Sequence, residues 1–76
     1  MSADVRHTVG SIVREAMSER GVTQAQAAGA LGLTQSQVSR RLSGQIDFDV
    51  AELGIVAELL GVSVADLLPE PAAATR

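Results

Sequence analysis

Residues 34–45 read Thr-Gln-Ser-Gln-Val-Ser-Arg-Arg-Leu-Ser-Gly-Gln, a run with two apolar side chains and a dense set of amides, hydroxyls and guanidinium groups. Val38 and Leu42 stand four apart, so on a helix they share one face. Gln35, Ser36, Ser39, Arg40 and Ser43 then cover much of the other side. A Gln amide can bond N6 and N7 of adenine together, an Arg fork can bond O6 and N7 of guanine, and Ser adapts to either. This is the chemistry of hydrogen-bonded recognition of base edges.

Covalent chemistry has little to work with. The chain has one His and neither Cys, Lys nor Tyr, and it shows no Gly-rich phosphate loop or carboxylates paired across a pocket. His7 lies off the apolar stripe of its helix and has no second His or Cys to share a metal. An enzyme, a metal site, a cofactor and a small-molecule ligand are therefore not expected.

Seventy-six residues make one small domain, and without cysteine no disulfide or thiolate zinc site can staple it. The 46% apolar content must stabilise it, mostly through Ala, Val and Leu with one Phe. No apolar run reaches the length of a membrane span and no secretory signal pattern opens the chain, so a cytoplasmic protein is expected. Net charge is −3, which argues against indiscriminate nucleic-acid binding. The acids gather at Asp47, Asp49, Glu52, Glu58, Asp66 and Glu70, however. Between Arg20 and Asp47 there is no acid at all, which leaves a local positive excess around Arg40 and Arg41.

The elements that must position these residues follow from helical periodicity and caps. Val5, Val9, Ile12, Val13, Ala16 and Met17 recur at helical spacing and predict a first helix over about 3–20, stopped by Gly21. Thr23 with Gln26 forms a capping box for a second helix, 24–31, with Ala27, Ala28 and Leu31 inward and Gly32 at its end. Thr34 with Gln37 repeats the box for a third helix, 35–43, stapled by Leu33 and Val38. Asp49 with Glu52, and Phe48 with Leu53, start a fourth over 50–60 with Val50, Leu53, Val56, Ala57 and Leu60 as its apolar stripe. Ser63 with Asp66, and Val62 with Leu67, start a short fifth over 64–68, which Pro69 ends. No strand pattern competes. Residues 1–68 thus form the domain, and 69–76 are a flexible tail or the start of a linker. Gly10, Gly29 and Gly54 inside helices point to close helix packing, whereas Arg6, Arg14 and Arg20 are expected to be solvated.

The block 23–44 resembles the helix-turn-helix of the Cro/repressor-like (XRE, lambda-repressor-like) family along its whole length, and the likeness extends over residues 5–68. Ala28 stands where two helices approach, Gly32 at the turn and Val38 at the buried position of the third helix. The resemblance implies an all-α, five-helix lambda-repressor-like domain that binds double-stranded DNA in the major groove, most readily as a phage or bacterial repressor. It implies base-reading roles for Gln35, Ser36, Ser39 and Arg40. It also implies that Gln24 contacts phosphate and braces the recognition Gln, with Ser43, Gly44 and Gln45 near the backbone on the far side. Thr23 and Thr34 are caps whose hydroxyls can also touch phosphate, and Gln37 is a cap partner. Arg41 departs from the family pattern, which has an apolar residue there; Leu42 is expected to take over that packing and leave Arg41 to snorkel toward a phosphate. An antitoxin-like or other protein-interaction module of the same fold is the alternative. A homodimer through the C-terminal helices is compatible with both.

Overall fold

A computed structural model of the chain describes residues 5–69, with side chains from Val9 onward, so the expectations for Val5, Arg6, His7 and the tail 70–76 lie outside the described side chains. The described residues form α1 (Val5–Arg20), α2 (Gln24–Leu31), α3 (Gln35–Leu42), α4 (Val50–Leu60) and a single turn of 3-10 helix (Val64–Leu67), with no strand. The fold is all-α. Its last element is a 3-10 turn rather than the α-helix expected there, in keeping with its four residues.

Each helix after the first is opened by a reciprocal cap. Thr23, Thr34, Asp49 and Ser63 hold extended backbone and accept from the amide three residues on, while the side chain at that position accepts the cap residue's own N–H. Each box satisfies donors that a helix N-terminus would otherwise leave bare. The ends are equally local. Gly21, Gly32 and Gly61 stand at φ of 69°, 68° and 75°, a left-handed conformation that side-chain-bearing residues adopt only with strain. Past Gly32 the chain turns at once, and the Leu33 amide donates to the Ala28 carbonyl at 3.0 Å. This fixes the angle between α2 and α3.

The core joins Val9, Val13 and Met17 of α1, Ala27 and Ala28 of α2, Val38 and Leu42 of α3, four residues of α4, and Leu67. Leu33, Phe48 and Val62, each one residue before a cap, pack against it as staples. Two expectations fail. Ile12 is half-buried and stands outside this cluster. Val50 is 81% exposed rather than inward, because it is the first residue of α4 and the core face of that helix begins a turn later at Leu53.

Candidate nucleic-acid interface

α3 has three longitudinal arcs. Val38 and Leu42 are 1% and 3% exposed and seat the helix on the core. Gln35, Ser36, Ser39 and Arg40 are all exposed and form a second arc that begins beside Leu42 and runs round to the solvent side. Their side chains make no hydrogen bond or ion pair among the described residues. The third arc carries Gln37 and Arg41, of which Arg41 reaches the start of α4.

On that third arc the Gln37 Oε1 accepts the Thr34 amide at 2.9 Å, closing the cap. Arg41 does not snorkel outward. Its Nε and Nη2 donate to Oε1 and Oε2 of Glu52 at 3.0 and 3.2 Å, and Nη1 donates to the Gln37 carbonyl at 3.0 Å. The stretch that lacks acids in sequence is therefore not acid-free in space. Glu52, at the start of α4, neutralises Arg41 and leaves Arg40 as the exposed cation of α3.

The flanks of α3 are also ordered by local bonds. Thr23 Oγ1 and Thr34 Oγ1 accept the Gln26 and Gln37 amides at 3.1 Å each, so both hydroxyls serve as caps. Gln24 is exposed at the first position of α2, and no hydrogen bond joins it to Gln35 among the described residues. At the other end the Arg40 carbonyl gathers the Ser43 hydroxyl at 3.0 Å and the amides of Gln45 and Ile46 at 2.9 and 3.3 Å. Gly44, at φ 88°, makes that reversal possible, and the Gln45 side chain is left exposed beside α3. Ser43 lines an open hollow with Leu42 and the α1 residues Ser11, Arg14, Glu15 and Ser18.

Two supports of this face had no sequence signal beyond residue type. Gly10 of α1 lies hard against the last carbonyls of α3, as its glycine suggested. Gly29 and Gly54 do not repeat this: a methyl group at either would meet nothing within 4 Å, so close packing does not explain them. Arg20 is not simply solvated, since its Nη1 donates to the Leu60 carbonyl at 3.0 Å and ties the end of α1 to the end of α4.

A family model described as helix-turn-helix matches residues 13–67, a span that includes both caps, the turn and the whole of α3. The chain belongs to the XRE-type helix-turn-helix family. It is a DNA-binding transcription regulator, and its partner is double-stranded DNA. No curated protein matches the sequence. Among solved structures it is similar to the clp gene regulator ClgR from Corynebacterium glutamicum, with a TM-score of 0.81 and 27% identity over 87% of this chain and 86% of that one. It is also similar in fold to the restriction-modification controller protein C.AhdI from Aeromonas hydrophila, with a TM-score of 0.75 and 24% identity over 82% and 94% of the two chains. A third neighbour is HppE, solved with CoII and substrate. There the TM-score is 0.78 and identity 22%, over 87% of this chain but only 37% of HppE, so the likeness is one of fold.

Proposed function

We propose that this XRE-type domain is a repressor of bacterial or phage type that reads operator sequence by laying α3 in the major groove. One observation carries the reading: an exposed polar arc of Gln35, Ser36, Ser39 and Arg40, free of bonds within the described protein, on a helix whose other side chains pack into the core or bond to neighbouring residues. With its side chains an α-helix is about 10–12 Å across, which matches a groove about 12 Å wide. Gln35 and Ser36, at the N-terminal end, meet base edges first, and Ser39 and Arg40 follow. Gln24, with the amides at the start of α2, receives one phosphate. Thr23 and Thr34 stand beside that strand, and Ser43 and Gln45 approach the other. Gln37 and Arg41 support the helix from behind. Repression then follows from occupancy, since a bound domain excludes polymerase from overlapping DNA.

A second copy completes the regulator. Ile55 and Leu59 on the outer face of α4, each 39% exposed, and Leu68, 44% exposed, supply an apolar strip for a homodimer through the C-terminal elements. The same strip favours the second reading, an antitoxin-like module that holds another protein. Salt separates the two. Binding through several phosphates weakens by about 0.9 in log K per phosphate for each decade of salt, whereas apolar docking hardly responds.

The deciding experiment is selection of bound duplexes from a random library at about 0.1 M salt, the regime in which phosphate contacts are still felt. An enriched site with two inverted halves about one helical turn apart is expected. A folded chain that enriches nothing would overturn the repressor reading in favour of the protein-interaction module.

A further inference from the structure

Two side chains of α3, Val38 and Leu42, are buried in the core, and they lie on a single line along the helix. Two knobs on one line fix where a helix sits but hold its roll about that line weakly. The roll matters for reading. With side chains a helix has a radius of about 5–6 Å, so a roll of about 20° carries a side-chain tip about 2 Å. Hydrogen bonds to base edges tolerate only a few tenths of an ångström around their usual length.

The contact that resists such a roll is the Arg41 fork. Its Nε and Nη2 each donate to a different oxygen of the one Glu52 carboxylate, and such a bidentate pair resists rotation in a way that a single point charge does not. The side chains of Arg41 and Glu52 are 13% and 17% exposed, so water competes for them weakly. Glu52 is itself immobilised: its Oε1 also accepts the Asp49 amide at 3.1 Å, and its own amide donates to Asp49 Oδ1 at 2.7 Å. The third donor of Arg41 returns to the Gln37 carbonyl of the same helix. The fork thus splices α3 into the capping box of α4. From the other side Gly10 brings the α1 backbone against the carbonyls of Arg41 and Leu42.

We infer that Arg41 and Glu52 form a positioning pair that sets the roll of α3 and so the sequence discrimination of the base-reading arc, with Arg41 acting on Glu52 rather than on a DNA phosphate. The inference rests on the DNA-reading function proposed above and names the device that makes it selective.

The test uses a duplex enriched by the wild-type chain and a scrambled duplex of equal length, with affinities for both measured from 0.1 to 0.4 M salt, a span chosen to expose the phosphate term. Arg41→Met and Glu52→Gln should each cut the ratio of the two affinities about tenfold, the effect of a mid-range coupling within one network. The double variant should be no worse than either single one. The salt slope on the scrambled duplex should stay at the wild-type value. Glu52→Gln retains an oxygen for the Asp49 amide, so its helical circular dichroism should be unchanged. Arg41→Lys keeps the charge but loses the fork, and it should behave like Arg41→Met on the ratio. The inference is overturned if Arg41→Met lowers the salt slope by about 0.9, the mark of one lost phosphate contact, while Glu52→Gln tightens binding to both duplexes. It is equally overturned if folded variants keep the wild-type ratio. A wild-type chain that shows no preference between duplexes would remove the DNA-reading proposal and this inference with it; variants failing beside a discriminating wild type would remove the positioning pair alone.

Discussion

Gly10 of α1 faces the carbonyl oxygen of Leu42, the last residue of α3, so closely that a Cβ on Gly10 would stand 2.5 Å from that oxygen and 2.8 Å from the carbonyl oxygen of Arg41. Both obstacles are backbone, which cannot swing aside as a flexible side chain can. Helix propensity alone favours Ala over Gly by about 1 kcal/mol. Here the clash should win, and Gly10→Ala should lower the unfolding free energy by about 1–3 kcal/mol, the usual cost of overpacking. Urea denaturation checks this, and a stabilised variant would mean that α1 and α3 stand farther apart than described.

Gly29 and Gly54 supply the opposite case. Both are helical, and a methyl group at either would project into open space. Gly29→Ala and Gly54→Ala should each raise stability by about 1 kcal/mol, the intrinsic propensity difference. A shift of the urea midpoint in the same direction as Gly10→Ala would show that these sites carry a packing constraint after all.

The Arg20 guanidinium caps α4 from α1 by its 3.0 Å bond to the Leu60 carbonyl, where a positive charge also suits the negative end of the helix dipole. Replacing it with Met keeps the aliphatic stem and removes the donor. Arg20→Met should destabilise the domain by about 0.5–1.5 kcal/mol, the net value of such a bond. The loss should be smaller at high salt only in its charge component. Thermal melts at low and high salt measure both parts.

How much of this was legible in the sequence depends on the distance over which each feature is decided. The capping boxes at Thr23, Thr34, Asp49 and Ser63 are agreements among residues three apart, and a run of four residues displays them in full. The buried faces of α2 and α3 are likewise periodic patterns within one helix. Arg41 could not be read in this way. Its partner lies eleven residues on, across a loop, and nothing in the run 21–46 announces an acid. Arg20 and Leu60 are forty apart, which hides that bond further. Val50 shows a different failure, since periodicity gives the face of a residue but not whether the core extends as far as the helix end. Gly10, Gly29 and Gly54 look alike in sequence and are distinguished only by what stands opposite each one.

Val38 is the residue on which the seat of α3 depends. It is 1% exposed and packs with Leu42 into the common core. Val38→Asp would bury an unpaired carboxylate with no donor to receive it, a cost that exceeds the few kcal/mol holding a domain of this size. The variant should lack helical circular dichroism and a cooperative melt at neutral pH. Retention of both would mean that the inward face of α3 has been misassigned.

Gln35 is where the proposed reading of DNA is most exposed to test. It is the first residue of α3, exposed, and its amide makes no bond within the described protein, so truncation removes no intramolecular support. Thr34 and Gln37 hold the cap independently of it. Gln35→Ala should therefore melt like the wild type, which separates recognition from folding. On the selected duplex it should lose about 1–3 kcal/mol of binding, and the loss should vanish when one particular base pair is changed, because a bidentate amide reads a single pair. Repeating the library selection with the variant would show that position relaxed and the others intact. Equal weakening on every duplex, with a shallower salt slope, would instead make Gln35 a phosphate contact and shift the reading of the groove to Ser36, Ser39 and Arg40.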